Sequence, residues 1–413
     1  MVEIHNAPDG HPLIRRSLYM DQLASYSGTS LVKVLTGVRR SGKSMILRAW
    51  KDDLTSEGVP EENIVHLNFE SLAHADLTNH LALYRHIMDR AAATSGRIHI
   101  LLDEVQLVDS WERAVNSFRV DLDCEIVVTG SNASLLSGEL ATLLTGRYVD
   151  MKVYPLSLTE FAEFGDVGAG AGTAALGEYL RRGGMPGLQE LADHGADANY
   201  LRDVFNSILL KDVVARHHIR DVDLLERLVA FLLTNLGHTI SANRVVEFMK
   251  SQRRSVAADT VHNHLHALAE AYLFHKVSRY DLKGKRVFET QEKYFVADHG
   301  FAHALLGYRP GDLPGVLENV VCLELLRRGY QVHVGKAGAA EVDFVADKPG
   351  RRLYLQVTYL LASLEVMERE FAPLRTIRDN HRKIVVSLDA AQGVSEDGIE
   401  HRSLAEFLAG QDW

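Results

Sequence analysis

Residues 31–48, LVKVLTGVRRSGKSMILR, decide the fold. Leu31, Val32, Val34 and Leu35 form a short apolar run without helical period, and residues 43–50 supply helix formers with Met45, Ile46 and Trp50 available for packing. Between strand and helix stands the pattern G-x-x-x-x-G-K-S, from Gly37 to Ser44. In that context the glycines let backbone N–H groups turn inward around phosphates, Lys43 reaches the β and γ oxygens, and the Ser44 hydroxyl ligates Mg²⁺. The stretch predicts ATP and Mg²⁺ as cofactors, held by Gly37, Arg40, Ser41, Gly42, Lys43 and Ser44.

Hydrolysis needs a second, acidic strand end. Ile98 to Glu104, IHILLDE, is an apolar run ending in two carboxylates. Asp103 then sits at the carboxyl end of a buried parallel strand and holds Mg²⁺ together with Ser44, while Glu104 is the candidate general base. The alternative for Glu104 is a solvated acid capping the next turn. Further strands are expected at Asn63–Phe69 and Glu125–Thr129, with helices near 77–93 and at Trp111–Phe118, so the order β-α-β-α-β predicts an α/β fold built on a parallel sheet. Thr129, Gly130, Ser131 and Asn132 emerge at the carboxyl edge, where ligands bind in such sheets, and place Asn132 within reach of the γ-phosphate or the attacking water. Arg147 follows the glycine turn Leu144-Thr145-Gly146 and precedes a β-like run, Tyr148–Val153. An arginine there is placed to neutralise transition-state charge, in its own subunit or across an interface, with a surface ion pair as the alternative. Ahead of the strand, Arg15, Arg16 and Tyr19 lie where the chain of such enzymes crosses the adenine pocket.

The chain has 413 residues, 46% of them apolar and 24% charged, which suits a soluble protein of two or three domains. No uncharged apolar run is long enough to span a bilayer, and the N-terminal MVEIHNAPDGHPLIRR has no apolar core of a signal peptide. The expectation is a cytoplasmic protein without a membrane partner. Cys124 and Cys322 are too few and too far apart for a disulfide framework or a thiolate zinc site, and read as buried small hydrophobes. The formal charge of −10 argues against whole-surface attraction to nucleic acid. Residues 250–286, however, carry eight Lys or Arg against three Asp or Glu, a local +5 that leaves −15 on the rest.

GVRRSGKS, ILLDEVQ, VTGSN, LLTGR and the following YPLSLTEF together resemble the AAA+ ATPases of bacteria and archaea in which a domain of unknown function, numbered 4143, follows the ATPase core. The resemblance covers essentially the whole chain. It implies Lys43 and Ser44 as phosphate and magnesium contacts, Asp103 and Glu104 as the acidic pair, Asn132 as the sensor and Arg147 as a candidate finger.

Beyond the core, residues 165–177, GDVGAGAGTAALG, read as a flexible connection. Helices are expected at Leu201–Ala215 and Leu224–Leu236, where Leu225, Leu228, Val229 and Leu232 share a face, and GGMPG at 183–187 reads as a turn. Ser241 is a helix cap before Ala242–Lys250, and Ala258–Leu273 is a helix with Val261, Leu265, Leu268 and Tyr272 on one face. HKVSRYDLKGKRVFE then gives two β-like runs around Lys283-Gly284-Lys285. This helix-turn-helix and basic hairpin resemble a winged helix, which implies Arg253, Arg254, Asn263, His266, Lys283, Lys285 and Arg286 as contacts to duplex DNA; a packing or protein-interaction module is the alternative. His262, His264 and His266 do not make a metal site, because at 100° per residue His264 points almost opposite to the other two.

The last hundred residues start a new α/β unit: a helix from Gly315 to Gly329, β-like runs at Tyr330–Val334, Glu341–Ala346 and Leu353–Thr358, a helix near 363–377 and a strand at Lys383–Leu388. That order resembles the core of restriction-endonuclease-like nucleases, with Glu318 and Asp343 at the acidic positions and Gln356 as a further oxygen ligand. Thr358 stands where the resemblance asks for lysine and cannot supply its charge, so the nuclease site reads as degenerate.

The expected architecture is therefore a P-loop ATPase core at 1–165, a helical and winged-helix region at 166–304, and a restriction-endonuclease-like α/β domain at 305–413. The leading functional reading is an ATP-hydrolysing protein whose turnover rearranges a DNA-binding region. Its alternatives are a nucleotide-gated module for DNA or an unidentified protein partner with little turnover, and an ATP-gated nuclease. Arg147 brings an oligomer into consideration.

Overall fold

The computed structural model describes residues 5–6, 12–13, 15–136, 144, 146–165, 172–191, 194–284, 286–338, 340–390, 393–394 and 397–410. The chain divides into two compact units, 1–153 and 154–413. The first ends twelve residues before the expected boundary at 165.

In the first unit, helix α1 (Ser17–Ser25) precedes strand β1 (Val32–Thr36) and helix α2 (Lys43–Ser56). Strand β2 (Ile64–Asn68), helix α3 (His80–Ala92), strand β3 (Ile98–Asp103), helix α4 (Trp111–Asp121), and strands β4 (Cys124–Gly130) and β5 (Tyr148–Lys152) follow. All pairs are parallel, in the order β2-β3-β4-β1-β5. Both faces are covered, so the central strands read as continuous apolar runs rather than as alternating ones. The period of two survives in the packing: Val32, Val34, Ile100, Leu102, Ile126 and Val128 meet Phe118, Trp111 and Ile87 on one face. Leu35, Leu101 and Val127 meet Ile46, Leu47, Trp50 and Tyr19 on the other. Lys33, fully buried in β1, is paired with Glu125 at 2.7 Å. Burial lowers the lysine pKa, with the Glu125 contact opposing it.

The second unit opens with helices α5 (Leu158–Phe164), α6 (Gly172–Arg182) and α7 (Asp197–Ser207). The expected 165–177 connection is thus interrupted by the start of α6, and residues 166–171 lie outside the described ones. The run Leu201–Ala215, expected as one helix, is α7 continued by a π-helical stretch, Ile208–Ala215. The GGMPG turn leads into a short 3₁₀ helix, Pro186–Glu190. Helices α8 (Val222–Thr234), α9 (Ala242–Ser251) and α10 (Ala258–Glu270) come next, followed by strands β6 (Phe274–Asp281) and β7 (Arg286–Val296). Ser241 caps α9 as its sequence position predicts, accepting from the Arg244 N–H.

Helix α11 (Gly300–Leu306) and helix α12 (Leu313–Arg327) lead to strands β8 (Gln331–Ala337), β9 (Ala340–Lys348) and β10 (Arg351–Val357). Helix α13 (Leu364–Arg375), strands β11 (Arg382–Ser387), β12 (Gly393–Val394) and β13 (Glu400–Ser403), and helix α14 (Leu404–Ala409) complete the chain. The sheet order is β12-β13-β11-β10-β9-β8-β6-β7. The parallel pairing of β8 with β6 joins the hairpin to the C-terminal strands, so the chain does not divide at 304/305 as the sequence led one to expect. Cys322 is buried as expected, whereas Cys124 is only partly so. Among the described residues no helix is long and apolar enough to cross a membrane.

Candidate active site

The carboxyl ends of β1, β3 and β4 converge on one sheet edge, since β1 pairs with β4 through Thr36 and Gly130. The loop leaving β1 needs glycine twice. Gly37 has φ of 140°, and a Cβ there would lie 2.1 Å from the Val153 carbonyl oxygen; Gly42, with φ of 99°, stands directly before α2. Arg40 adopts a left-handed φ of 67° between them. Lys43 is buried and its Nζ donates to the carbonyls of Gly37 and Val38 at 2.9 and 3.1 Å, so it lies across the mouth of the loop. Ser41 is fully buried and its Oγ has no hydrogen-bond partner among the described residues, while its carbonyl accepts from Arg16 Nη1 at 2.8 Å. Arg16 also stacks over Tyr19. A buried hydroxyl without a partner among the described residues and a lysine in one glycine-bent loop before a helix fit a phosphate group.

Asp103 ends β3 as predicted. Ser44 Oγ donates to its Oδ1 at 3.0 Å, Thr129 Oγ1 donates to the same oxygen at 2.6 Å, and Asn68 Nδ2 donates to Oδ2 at 3.0 Å. Burial pushes the Asp103 carboxyl up, and the Thr129 and Ser44 hydroxyls pull it back. The Ser44–Asp103 pair is a hydroxyl and a carboxylate side by side, a hard oxygen set that suits Mg²⁺. Glu104 is 7% exposed, which rules out the solvated-cap alternative. It has a left-handed φ of 55°, with its N–H donating to Thr129 Oγ1 at 2.9 Å and its carboxylate receiving Gln106 Nε2. A non-glycine residue held in that conformation costs about 1 kcal/mol, and here it breaks the strand directly after Asp103, at the edge where the P-loop lies. Asn132 is buried two residues past the end of β4, on the same edge.

Three residues complete the arrangement: Thr129, placed at the carboxyl edge by the sequence reading but given no partner there, and Asn68, not singled out, hold Asp103, and Gln106, also not singled out, holds Glu104. Asn68 and Thr129 are strand-end polar residues at the carboxyl edge, and that position was the available signal. Gln106 gave none, because its role depends on a turn.

Arg147 is elsewhere. Its backbone carbonyl accepts from Val32 N–H at 2.9 Å, so it lies at the amino end of β1, opposite the P-loop, and it is exposed. Of the expected DNA contacts, Arg253, Asn263, His266 and Lys283 are exposed, whereas Arg254 is engaged with Asp221 at 2.8 Å and with Asp223. The side chains of Lys285 and Arg286 lie outside the described residues. His264 is buried and His262 and His266 exposed, as the helical geometry required.

Residues 29–162 match a family model described as an AAA domain, and residues 173–312 match one for a domain of unknown function numbered 8612 rather than the expected 4143. A Haemophilus influenzae protein described as uncharacterized is 37% identical over 400 residues, covering 96% of this chain and 98% of its own. The chain belongs to one family with this Haemophilus influenzae protein, and it carries an AAA domain. An uncharacterized Methanocaldococcus jannaschii protein is 25% identical to this chain, over 92% of it and 88% of the other. Among solved structures, the Walker-type ATPase PABY2304 of Pyrococcus abyssi is similar at 14% identity and a TM-score of 0.48, covering 74% of this chain and 99% of that one.

Proposed function

We propose that this AAA+ protein binds Mg²⁺–ATP at the P-loop edge and hydrolyses it. The observation that carries the reading is the joined set Lys43, Ser44, Asp103 and Glu104 at one sheet edge, with Ser44 Oγ 3.0 Å from the Asp103 carboxylate and Glu104 directly following Asp103 at the end of β3. Mg²⁺ supplies the charge that β and γ oxygens need as the leaving group forms. The chain's own residues do the rest. The loop amides and Lys43 fix the phosphates, Ser44 and Asp103 hold the metal, Glu104 takes the proton of the attacking water, and Asn132 orients that water or the γ-phosphate. The test is phosphate release by the purified full chain, with and without duplex DNA. Parent turnover that is lost in Glu104→Gln with ATP binding retained supports the reading, and loss of binding in Lys43→Ala places the nucleotide. A parent that binds ATP without turnover leaves the nucleotide-gated module as the better description.

A second proposal concerns the region that ATP turnover serves. The Ser241-capped α9, the turn to α10 and the β6–β7 hairpin, tied back by a bridge between Ile240 and Glu292, support a winged helix. Asn263 and His266 are exposed on α10 and Lys283 is exposed at the hairpin tip, which supports duplex DNA as its partner.

A further inference from the structure

The sequence places Glu318 and Asp343 as candidate metal ligands at the C-terminal sheet, with Gln356 beside them. The space among them is already filled. Lys293, on β7, is 1% exposed, and its Nζ lies 2.9 Å from Glu318, 3.0 Å from Glu341 and 3.6 Å from Asp343. The surrounding groups are tied down as well. Asp343 Oδ2 accepts from the Val357 N–H at 2.8 Å, and Gln356 Nε2 donates to Glu370 at 3.2 Å. On the far side Gly237 backs Glu318 so closely that a Cβ there would stand 2.8 Å from its carboxylate.

We infer that Lys293 is the resident cation of this carboxylate cluster and shuts it against divalent metal. The cationic charge that Thr358 cannot supply on its own strand comes from a lysine on another strand, but its ammonium lies between the carboxylates rather than beside them. Metal–oxygen distances of about 2.0–2.6 Å from Glu318 and Asp343 would put a divalent ion within van der Waals overlap of Nζ. Charge leads to the same answer. The Lys293 ammonium already stands among Glu318, Glu341 and Asp343, so a divalent ion placed between them would meet a second positive charge at close range. Among the described residues no group of three His, Cys, Asp or Glu side chains is arranged to hold a metal. Removing the lysine should therefore create the site: three carboxyls left without their ammonium are a strong demand for a cation.

The experiment is Mn²⁺ uptake by the nucleotide-free full chain, read by the electron paramagnetic resonance of free Mn²⁺ and by the Mn²⁺-dependent shift in melting temperature. The parent should take up no Mn²⁺ that Asp343→Asn removes. Lys293→Met should melt lower in chelator, regain stability in Mn²⁺, and take up one ion per chain that Lys293→Met/Asp343→Asn does not bind. Should Lys293→Met fail to fold, Lys293→Met/Glu341→Gln, with one buried charge fewer, carries the same expectation. Asp343-dependent Mn²⁺ uptake by the parent would show a lysine working beside a metal and overturn the inference, and so would failure of both lysine variants to acquire an ion.

Discussion

Glu104 and Asp103 are neighbours in sequence, yet they are held by different hands. Asp103 is fixed by three donors on three strand or helix ends, a geometry suited to a metal ligand that must not move. Glu104 is fixed by its own bent backbone and by Gln106. Glu104→Gln keeps the shape and loses the base, so kcat should fall by about 10²–10⁴-fold while ATP binding stays within a few-fold of the parent, measured by phosphate release and equilibrium titration. Turnover at the parental rate would remove Glu104 from the base role. Gln106→Ala separates aiming from restraint. If Gln106 aims the carboxylate, kcat drops roughly tenfold with KM unchanged, as for other outer partners of reacting groups. A rise in kcat would mean that it holds Glu104 back. The P-loop and the acidic strand end were legible in sequence because their chemistry is local, one run of residues per role. The position of Thr129 was legible too, but its hold on Asp103, like the roles of Asn68 and Gln106, was not, because these contacts exist only once the strands are side by side.

At the scale of elements, the strands and helices of the first unit were readable since each buried strand is a bounded apolar run. The second unit misled where tertiary pairing, not local pattern, sets the outcome. Nothing in residues 274–281 announces that β6 will pair with β8 and join two expected domains into one sheet. The junction of α6 and α11 was equally invisible. Buried Asp298 accepts from the Gly184 N–H at 2.6 Å and the Gly300 N–H at 2.8 Å, while His299 Nε2 meets the Tyr179 carbonyl at 2.7 Å. Burial pulls His299 down to about 4 from its ordinary 6.5, so stability present above about 6.5 is lost as the pH falls and the unfolded chain protonates first. Burial pushes Asp298 up to about 6 from 3.8, so the folded chain protonates first and regains stability as the pH falls through about 6. The two oppose each other. Between about pH 7.5 and 5.5, Asp298→Asn should make the loss of unfolding free energy steeper than in the parent by roughly 1 kcal/mol, read by denaturant titration. Equal pH slopes would remove Asp298 from this balance. The hairpin carries a separate expectation. If it touches DNA phosphates, Lys283→Ala should weaken binding alike across sequences and flatten the log–log salt slope by about 0.9. Asn263→Ala should instead change sequence preference. A parent without DNA affinity at about 50 mM salt turns the module into a docking surface for protein.

For the whole molecule, the question left by the first unit is which nucleotide Arg147 can serve. It adjoins Val32 at the amino end of β1, whereas Gly37 lies just past the other end. Five strand residues at about 3.3 Å each separate the two by roughly 16 Å, further than an arginine side chain extends. The in-cis role is therefore geometrically closed, and what stays open is a nucleotide bound by a second copy of the chain, presented head to tail so that the exposed amino edge of one sheet faces the P-loop edge of the next. Arg147→Ala should then bind ATP normally and lose most of its turnover, as arginine fingers contribute about 10³–10⁵ to kcat. The decisive measurement mixes two inactive proteins. An Arg147→Ala subunit keeps an intact Glu104, and a Glu104→Gln subunit keeps an intact Arg147, so in an equal random mixture roughly a quarter of head-to-tail interfaces pair a working base with a working finger. Mixing should restore that fraction of parental turnover, and sedimentation in ATP should show an oligomer. A protein that stays monomeric in ATP, or a mixture that regains nothing while its subunits exchange, would leave Arg147 as a surface arginine.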